Sequence, residues 1–175
     1  MTPATLHPLP LTAEAFAPFG EVVALQRPAS GGTPINEGST LRHELAPPLD
    51  LGRANGHGVL ALYAAMARRF PFTAREVECH RLSEQVLLPF GAPRRCVLLV
   101  APAGPVPATA ALRAFVTDGS QGVRLRAGTW HHGLLALDDG PWAVLERREP
   151  GGGADCERHA LSPPLRIGLP GGSPA

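Results

Sequence analysis

Glycine and proline each occur 20 times in 175 residues, so a breaker falls on average every four or five positions. An ordinary helix needs ten or more residues without such interruption, whereas short strands and tight turns do not. The pattern predicts an all-β body rich in loops. Hydrophobic residues make up 44% of the chain and charged residues 18%, which suits a folded domain with its own core. The length is that of one domain, expected over residues 1–160 and followed by a Gly/Pro-rich tail over 161–175. Sixteen basic residues, all arginine, balance 15 acidic ones. No basic face for nucleic acid is expected. With no lysine in the chain, neither a Schiff base nor a phosphate-loop lysine is available.

Pro3, Pro8, Pro10 and Pro18 interrupt the first residues, which also lack a basic start, so no export segment is expected there. No apolar run approaches the roughly 20 residues of a membrane span. Cys79, Cys96 and Cys156 are odd in number and widely spaced, which points to a reducing, cytoplasmic setting.

A short helix is expected within residues 11–20, capped by Thr12 and stopped by Pro18 and Gly20. Residues 21–25 read as a strand and residues 27–58 mostly as loop. Eight β-like runs follow, over 59–67, 75–82, 85–90, 96–101, 112–116, 122–125, 133–137 and 142–147, separated by turn-forming stretches. Alternation along Glu76–Leu82 places Glu76, Glu78 and His80 on one strand face, with Val77 and Cys79 on the other. Such a polar face belongs either to solvent or to a polar site inside a barrel.

Residues 122–132 read GVRLRAGTWHH, with Gly122, Gly128 and His131 at intervals of six and three. This resembles the second motif of the cupin superfamily, with Arg126 at its proline position. Glu78, His80 and then Glu84 or Gln85 resemble the first motif, with Glu78 in place of a histidine. At family level the chain resembles the ureidoglycolate lyases. The resemblance is carried by LTAEAFAPFGEVV at Leu11–Val23, INEG at Ile35–Gly38, LRHEL at Leu41–Leu45 and FPFTAREVECHRLSEQVLLPF at Phe70–Phe90. LRAFVTDGSQGV at Leu112–Val123, GTWHHGLLAL at Gly128–Leu137 and ERR at Glu146–Arg148 continue it in the same order. Departures fall at Tyr63-Ala64, where the family has Phe-Arg, at Cys79 and Arg81, and at Arg124–Ala127. Gly133 and Glu146 stand where the family has Pro and Asp.

The resemblance implies a cupin-type double-stranded β-helix, or jelly-roll barrel, preceded by a short helix. It also implies a lyase that splits ureidoglycolate into glyoxylate and urea during purine and allantoin breakdown. A small anionic substrate, a homodimer and a divalent metal, nickel in this family, come with it. Elimination needs a base for the substrate hydroxyl, an acid for the departing nitrogen and donors for the carboxylate. The catalytic candidates are Glu78, His131 and Glu146, and the metal candidates are His80, His131 and either Glu84 or Gln85. Adjacent strand residues cannot both face inward, so only one of the last two belongs to the site. Glu78 is a ligand, a base or an ion-pair partner; zinc and other divalent ions suit the same donors as nickel. Tyr63, Asn36, Arg124 and Arg126 are the substrate-binding candidates, with a turn role as the alternative for Asn36. If the face of Arg124 and Arg126 points inward, Arg126 replaces the cation that the family carries at Ala64; if outward, both lie on the surface. The other functional readings are a cupin acting on another small hydroxy or oxo acid, and a non-catalytic barrel that binds a small carboxylate.

Overall fold

A computed structural model describes residues 5–24, 31–45, 47–151 and 155–169 of the chain. Its strands are β1 (Thr5–Leu6), β2 (Leu9–Pro10), β3 (Gly20–Val23), β4 (Thr33–Ile35), β5 (Thr40–Arg42), β6 (His57–Ala65), β7 (Phe72–His80) and β8 (Gln85–Pro89). They continue as β9 (Cys96–Ala101), β10 (Arg113–Val116), β11 (Gly122–Leu125), β12 (Trp130–His131), β13 (Leu135–Ala136), β14 (Gly140–Arg148) and β15 (Cys156–Ile167). One helical turn, α1 (Ala13–Phe16), is capped by the Thr12 hydroxyl, which accepts from the Ala15 N–H. The expected helix is present but shorter than predicted.

The larger sheet runs β1-β15-β7-β12-β9-β10-β2, with β13 also paired to β9; the smaller runs β3-β11-β8-β14-β6. The two sheets share a core. Leu98, Val100 and Phe115 of the larger pack with Leu87, Val123, Leu125, Trp142 and Val144 of the smaller, and Leu11, Phe16 and Phe19 join them. The chain is thus an all-β, cupin-type barrel. The larger sheet is buried on its outer face too, where Val77, Cys79, Val97, Leu99 and Trp130 lie beneath Leu112, Leu135, Leu161 and Ile167. This double burial explains why β9 is apolar at every position of Cys96–Ala101.

Two expectations are corrected. The domain boundary at residue 160 falls inside β15, which pairs with β7 at both of its ends. Ser162, Pro163 and Pro164 made this segment read as tail. The register shifts between Ala160 and Leu165, so these residues are carried in an irregularity where no ladder N–H is required of the prolines. Within the expected loop of 27–58, β4 and β5 form a hairpin, with Asn36 and Glu37 at positive φ in its turn. Leu25 and residues 170–175 lie outside the described residues.

Gly122 is required by a close approach. A Cβ there would sit 2.6 Å from the Leu87 carbonyl oxygen and 2.4 Å from Leu88 Cδ2. The carbonyl is backbone and cannot swing aside, so Gly122→Ala pushes β11 off β8 and lowers stability by about 1–3 kcal/mol. Gly52→Ala, in open space at ordinary φ, leaves the denaturation midpoint near that of the parent. Chemical denaturation of the two variants measures the difference.

Candidate active site

Cross-strand register builds the site. His131 lies opposite Glu78 on β7 and opposite Val100 on β9, so all three side chains share the inner face of the larger sheet. His80, two residues beyond Glu78, shares that face. The turn leading into β12 is fastened to β7: the Gly128 N–H donates to the His80 carbonyl at 2.7 Å, with Gly128 at φ 82°. Positive φ is what glycine supplies there.

Each imidazole is held from behind. His131 Nδ1 bonds the Thr129 carbonyl at 2.9 Å, and His80 Nδ1 lies 3.5 Å from the Asp155 carboxylate. Both Nε2 atoms are buried with no hydrogen-bond partner among the described residues. The two rings sit 5.4 Å apart, and Glu78 Oε1 is 3.7 Å from His131 Nε2. One ligating atom from each of Glu78, His80 and His131 lies within 4.8 Å of the others. Buried polar atoms are normally paired. Two orphaned imidazole nitrogens beside a carboxylate, each with its other nitrogen anchored, fit a divalent metal.

The smaller sheet supplies the facing wall. Tyr63, Gln85 and Glu146 occupy inward registers, opposite or in line with Trp142, Leu125 and Val144 of the shared core. Glu146 Oε2 accepts from the Tyr63 hydroxyl at 3.1 Å and the Gln85 amide at 3.2 Å, while Arg148 donates to Oε1 at 2.5 Å. Tyr63, Gln85, Glu78 and His131 line one cavity of about 60 Å³. Burial, then the charge of Glu146, pushes the Tyr63 phenol up to about 12, so it remains a donor at neutral pH. Burial pushes His131 down to about 4, the neutral form that ligates metal.

Other candidates lie elsewhere. Gln85 faces the cavity and Glu84 does not: Glu84 makes a two-pronged pair with Arg124, at 2.7 and 3.0 Å. Arg124 is fully buried, so turning Glu84 away would strand a guanidinium at a cost of about 3–5 kcal/mol. Arg124 and Arg126 alternate with Val123 and Leu125 of the shared core and therefore point outward; Arg126 is exposed and donates to the Ala17 carbonyl. Arg126 thus supplies no cation to the inside of the barrel. Ala64 is also outward, between the inward Tyr63 and Ala65, so the residue missing there does not face the cavity. Asn36 is exposed in the hairpin turn and donates to Thr40 Oγ1.

The larger cavity, about 430 Å³, lies on this outer side among Glu21, Asp50, Glu84, Arg53, Arg124 and Arg126. Its charges offset one another, and no histidine or cysteine lines it. Asp155, Cys156, Arg148 and Arg158 escaped the sequence reading. Asp155 accepts from the Leu82 N–H at 2.6 Å as well as facing His80. The Cys156 thiol donates to Glu78 Oε2 at 3.4 Å, and Arg158 lies 3.6 Å from the same oxygen. Assigning residues 156–160 to a strand would have exposed their alternation, but the glycines and prolines around them hid it. Burial raises the Cys79 thiol to about 11 and the Cys96 thiol to about 12, which suits inert packing.

A small barrel with a histidine–histidine–glutamate cluster in its interior defines a cupin-type protein. A family model for ureidoglycolate lyase matches residues 3–168, and the chain belongs to that family. It is 36% identical over 165 residues to a ureidoglycolate lyase of Pseudomonas fluorescens (strain Pf0-1), covering 93% of this chain and 95% of the relative. A Pseudomonas aeruginosa (strain UCBPP-PA14) protein of the same name is 35% identical over 157 residues, 89% of each chain. One from Azotobacter vinelandii (strain DJ / ATCC BAA-1303) is 36% identical over 152 residues, covering 86% of this chain and 88% of the relative.

Two measurements test this geometry. His80→Ala and His131→Ala each weaken nickel or zinc binding at least tenfold in chelator competition, and Asp155→Asn weakens it by about 10–100-fold. In the metal-free protein, the unfolded chain protonates residue 131 below its ordinary 6.5 while the folded chain resists down to about 4. Stability therefore falls as pH drops from about 6.5 to 4. His131→Asn loses that component of the slope in denaturation profiles.

Proposed function

We propose that this chain eliminates urea from ureidoglycolate to leave glyoxylate, within purine and allantoin breakdown. The observation carrying the proposal is the convergence of Glu78, His80 and His131 in one ligand-spaced cluster in a chain matched by this family over residues 3–168. The reacting carbon bears a hydroxyl, a ureido nitrogen and a carboxylate. Breaking its C–N bond sends that electron pair to nitrogen, while the O–H pair becomes the new carbonyl bond. The proton must move from oxygen to nitrogen.

Glu78 is suited to carry it. Cys156 and Arg158 hold Oε2, leaving Oε1 on the His131 side of the cavity. Oε1 takes the hydroxyl proton and returns it to the departing nitrogen, two atoms borne by the same carbon, so that one carboxylate can serve both. Glu146 is already engaged by three donors, so its oxygens are occupied rather than turned to the hydroxyl proton. Its part is to hold Tyr63 and Gln85 in place, which leaves the second amide N–H of Gln85 to donate to a substrate oxygen and the Tyr63 oxygen to accept. His80 and His131, through Nε2, are the residues that would hold a divalent ion, with Glu78 Oε1 left beside them for the proton. Such an ion supplies a Lewis acid for the hydroxyl and carboxylate oxygens.

The reading includes a cytoplasmic homodimer. Among the described residues no helix is long and apolar enough to cross a membrane. Leu60 and Leu62, 70% and 62% exposed on edge strand β6, support self-association. The test is urea release from ureidoglycolate by the metal-replete protein. The parent releases urea and glyoxylate in equal amounts, and Glu78→Gln loses at least a hundredfold in kcat while remaining folded. No urea from the parent under any divalent metal overturns the reading.

A further inference from the structure

A substrate carboxylate entering this barrel needs a cation, and most arginines near the site are placed to refuse it. Arg124 and Arg126 point outward, the first locked to Glu84. Arg147, next to Arg148 but on the opposite face of β14, is buried against the Arg53 and Ala54 carbonyls. Arg113 shares the register of Val100 and His131, yet its NH1 is bound to the Ala110 and Leu112 carbonyls. Arg158 rests beside Glu78 but is 65% exposed.

Arg148 differs from all of these. It lies two residues beyond Glu146 on β14 and so keeps the inward register. A single nitrogen, NH2, is spent on Glu146 Oε1, and its side chain is 35% exposed. That bond tethers one corner of the guanidinium, while Nε and Nη1 have no partner among the described residues. Nη2 carries a second N–H, and whichever of its two hydrogens meets Glu146, the other pairs with Nη1 or with Nε to leave one two-pronged edge open to a planar carboxylate. Through Glu146 it is continuous with Tyr63 and Gln85, which line the cavity across from Glu78 and His131.

We propose that Arg148 binds the carboxylate of the substrate and sets the preference of this site for anionic over neutral ureido compounds. The assignment rests on the lyase reading for the identity of the substrate, but its geometry concerns any small ureido acid. Glu146 is here a positioning residue that aims the guanidinium.

The experiment uses the full chain loaded with metal and two non-reacting ligands. Oxalurate carries the ureido group and a carboxylate; oxaluramide carries the same skeleton as a neutral amide. Calorimetry on the parent, Arg148→Ala and Arg148→Gln measures each Kd; the Gln variant retains a donor for Glu146 should the Ala variant fail to fold. Loss of the charge weakens oxalurate at least tenfold, about 1.4 kcal/mol, and leaves oxaluramide within twofold. In turnover the loss falls on KM rather than kcat. Oxalurate binding unchanged in the folded variant overturns the assignment, as does equal weakening of both ligands, which marks a structural role. A parent that binds neither ligand overturns it as well. A parent that binds oxalurate through Arg148 but releases no urea overturns the lyase reading and leaves the anion site standing.

Discussion

The pairing of two-residue strand β12 between β7 and β9 is the constraint on which the site depends. Trp130 lies opposite Cys79 and Ala101, and His131 lies opposite Glu78 and Val100. Side chains alternate with a period of two, so a slip of one residue would bury His131 in the outer core and turn Trp130 into the cavity. The indole prevents that slip. Trp130 is fully buried in the apolar layer with Val77, Cys79 and Leu99, and a side chain of that size has no equivalent space on the cavity side. A packing residue therefore sets the position of its cavity-lining neighbour.

The same logic explains why polar groups collect in this cavity. Core side chains of both sheets fill the barrel around Phe16, Phe19 and Phe115, whose rings pack within 6 Å of one another. On β7 and β12 the inward positions are Glu78, His80 and His131, and along β14 they change from Trp142 and Val144 to Glu146 and Arg148. Burying such groups unpaired is costly, and most are paired: Glu146 with three donors, Glu78 with Cys156 and Arg158. The two histidine Nε2 atoms stand out against that background. Arg124 Nη1, Trp142 Nε1 and Arg147 Nη1 are also buried without a partner among the described residues, but the two imidazoles are the pair that lies with Glu78 in one ligand-spaced cluster.

Much of this was legible in the chain. The density of glycine and proline excluded long helices, and the run Cys96–Ala101 and the run Gly122–Leu125 match their strands to the residue. Alternation over Glu76–His80 identified the polar face, and the spacing of Gly122, Gly128 and His131 reported a close approach, a positive φ and an inward histidine. The choice between Glu84 and Gln85 was not legible. It depends on Gln85 lying opposite Leu125, a partner 40 residues away, and on Glu84 meeting a buried arginine from β11. Strand β15 was hidden for a local reason: a strand carrying Pro163 and Pro164 exists only because its ladder skips them.

The outward register of residue 64 changes the meaning of the chain's departures from its relatives. A lost arginine reads at first as a lost substrate contact, and the arginines gained at 124 and 126 as its replacement. Position 64 is exposed on edge strand β6, beside Leu60 and Leu62, on the side of the smaller sheet away from the histidines. A change there alters a surface of the barrel without touching the groups that face the cavity. The inward set Tyr63, Glu78, His80, Gln85, His131 and Glu146 is intact as a hydrogen-bonded and electrostatic unit. The departures therefore fall on both faces: Ala64, Arg124 and Arg126 point outward, while Tyr63, Leu125 and Glu146 point inward. The one inward difference in carboxylate length, Glu146 for aspartate, is taken up by Tyr63, Gln85 and Arg148, which close on the longer side chain from three directions.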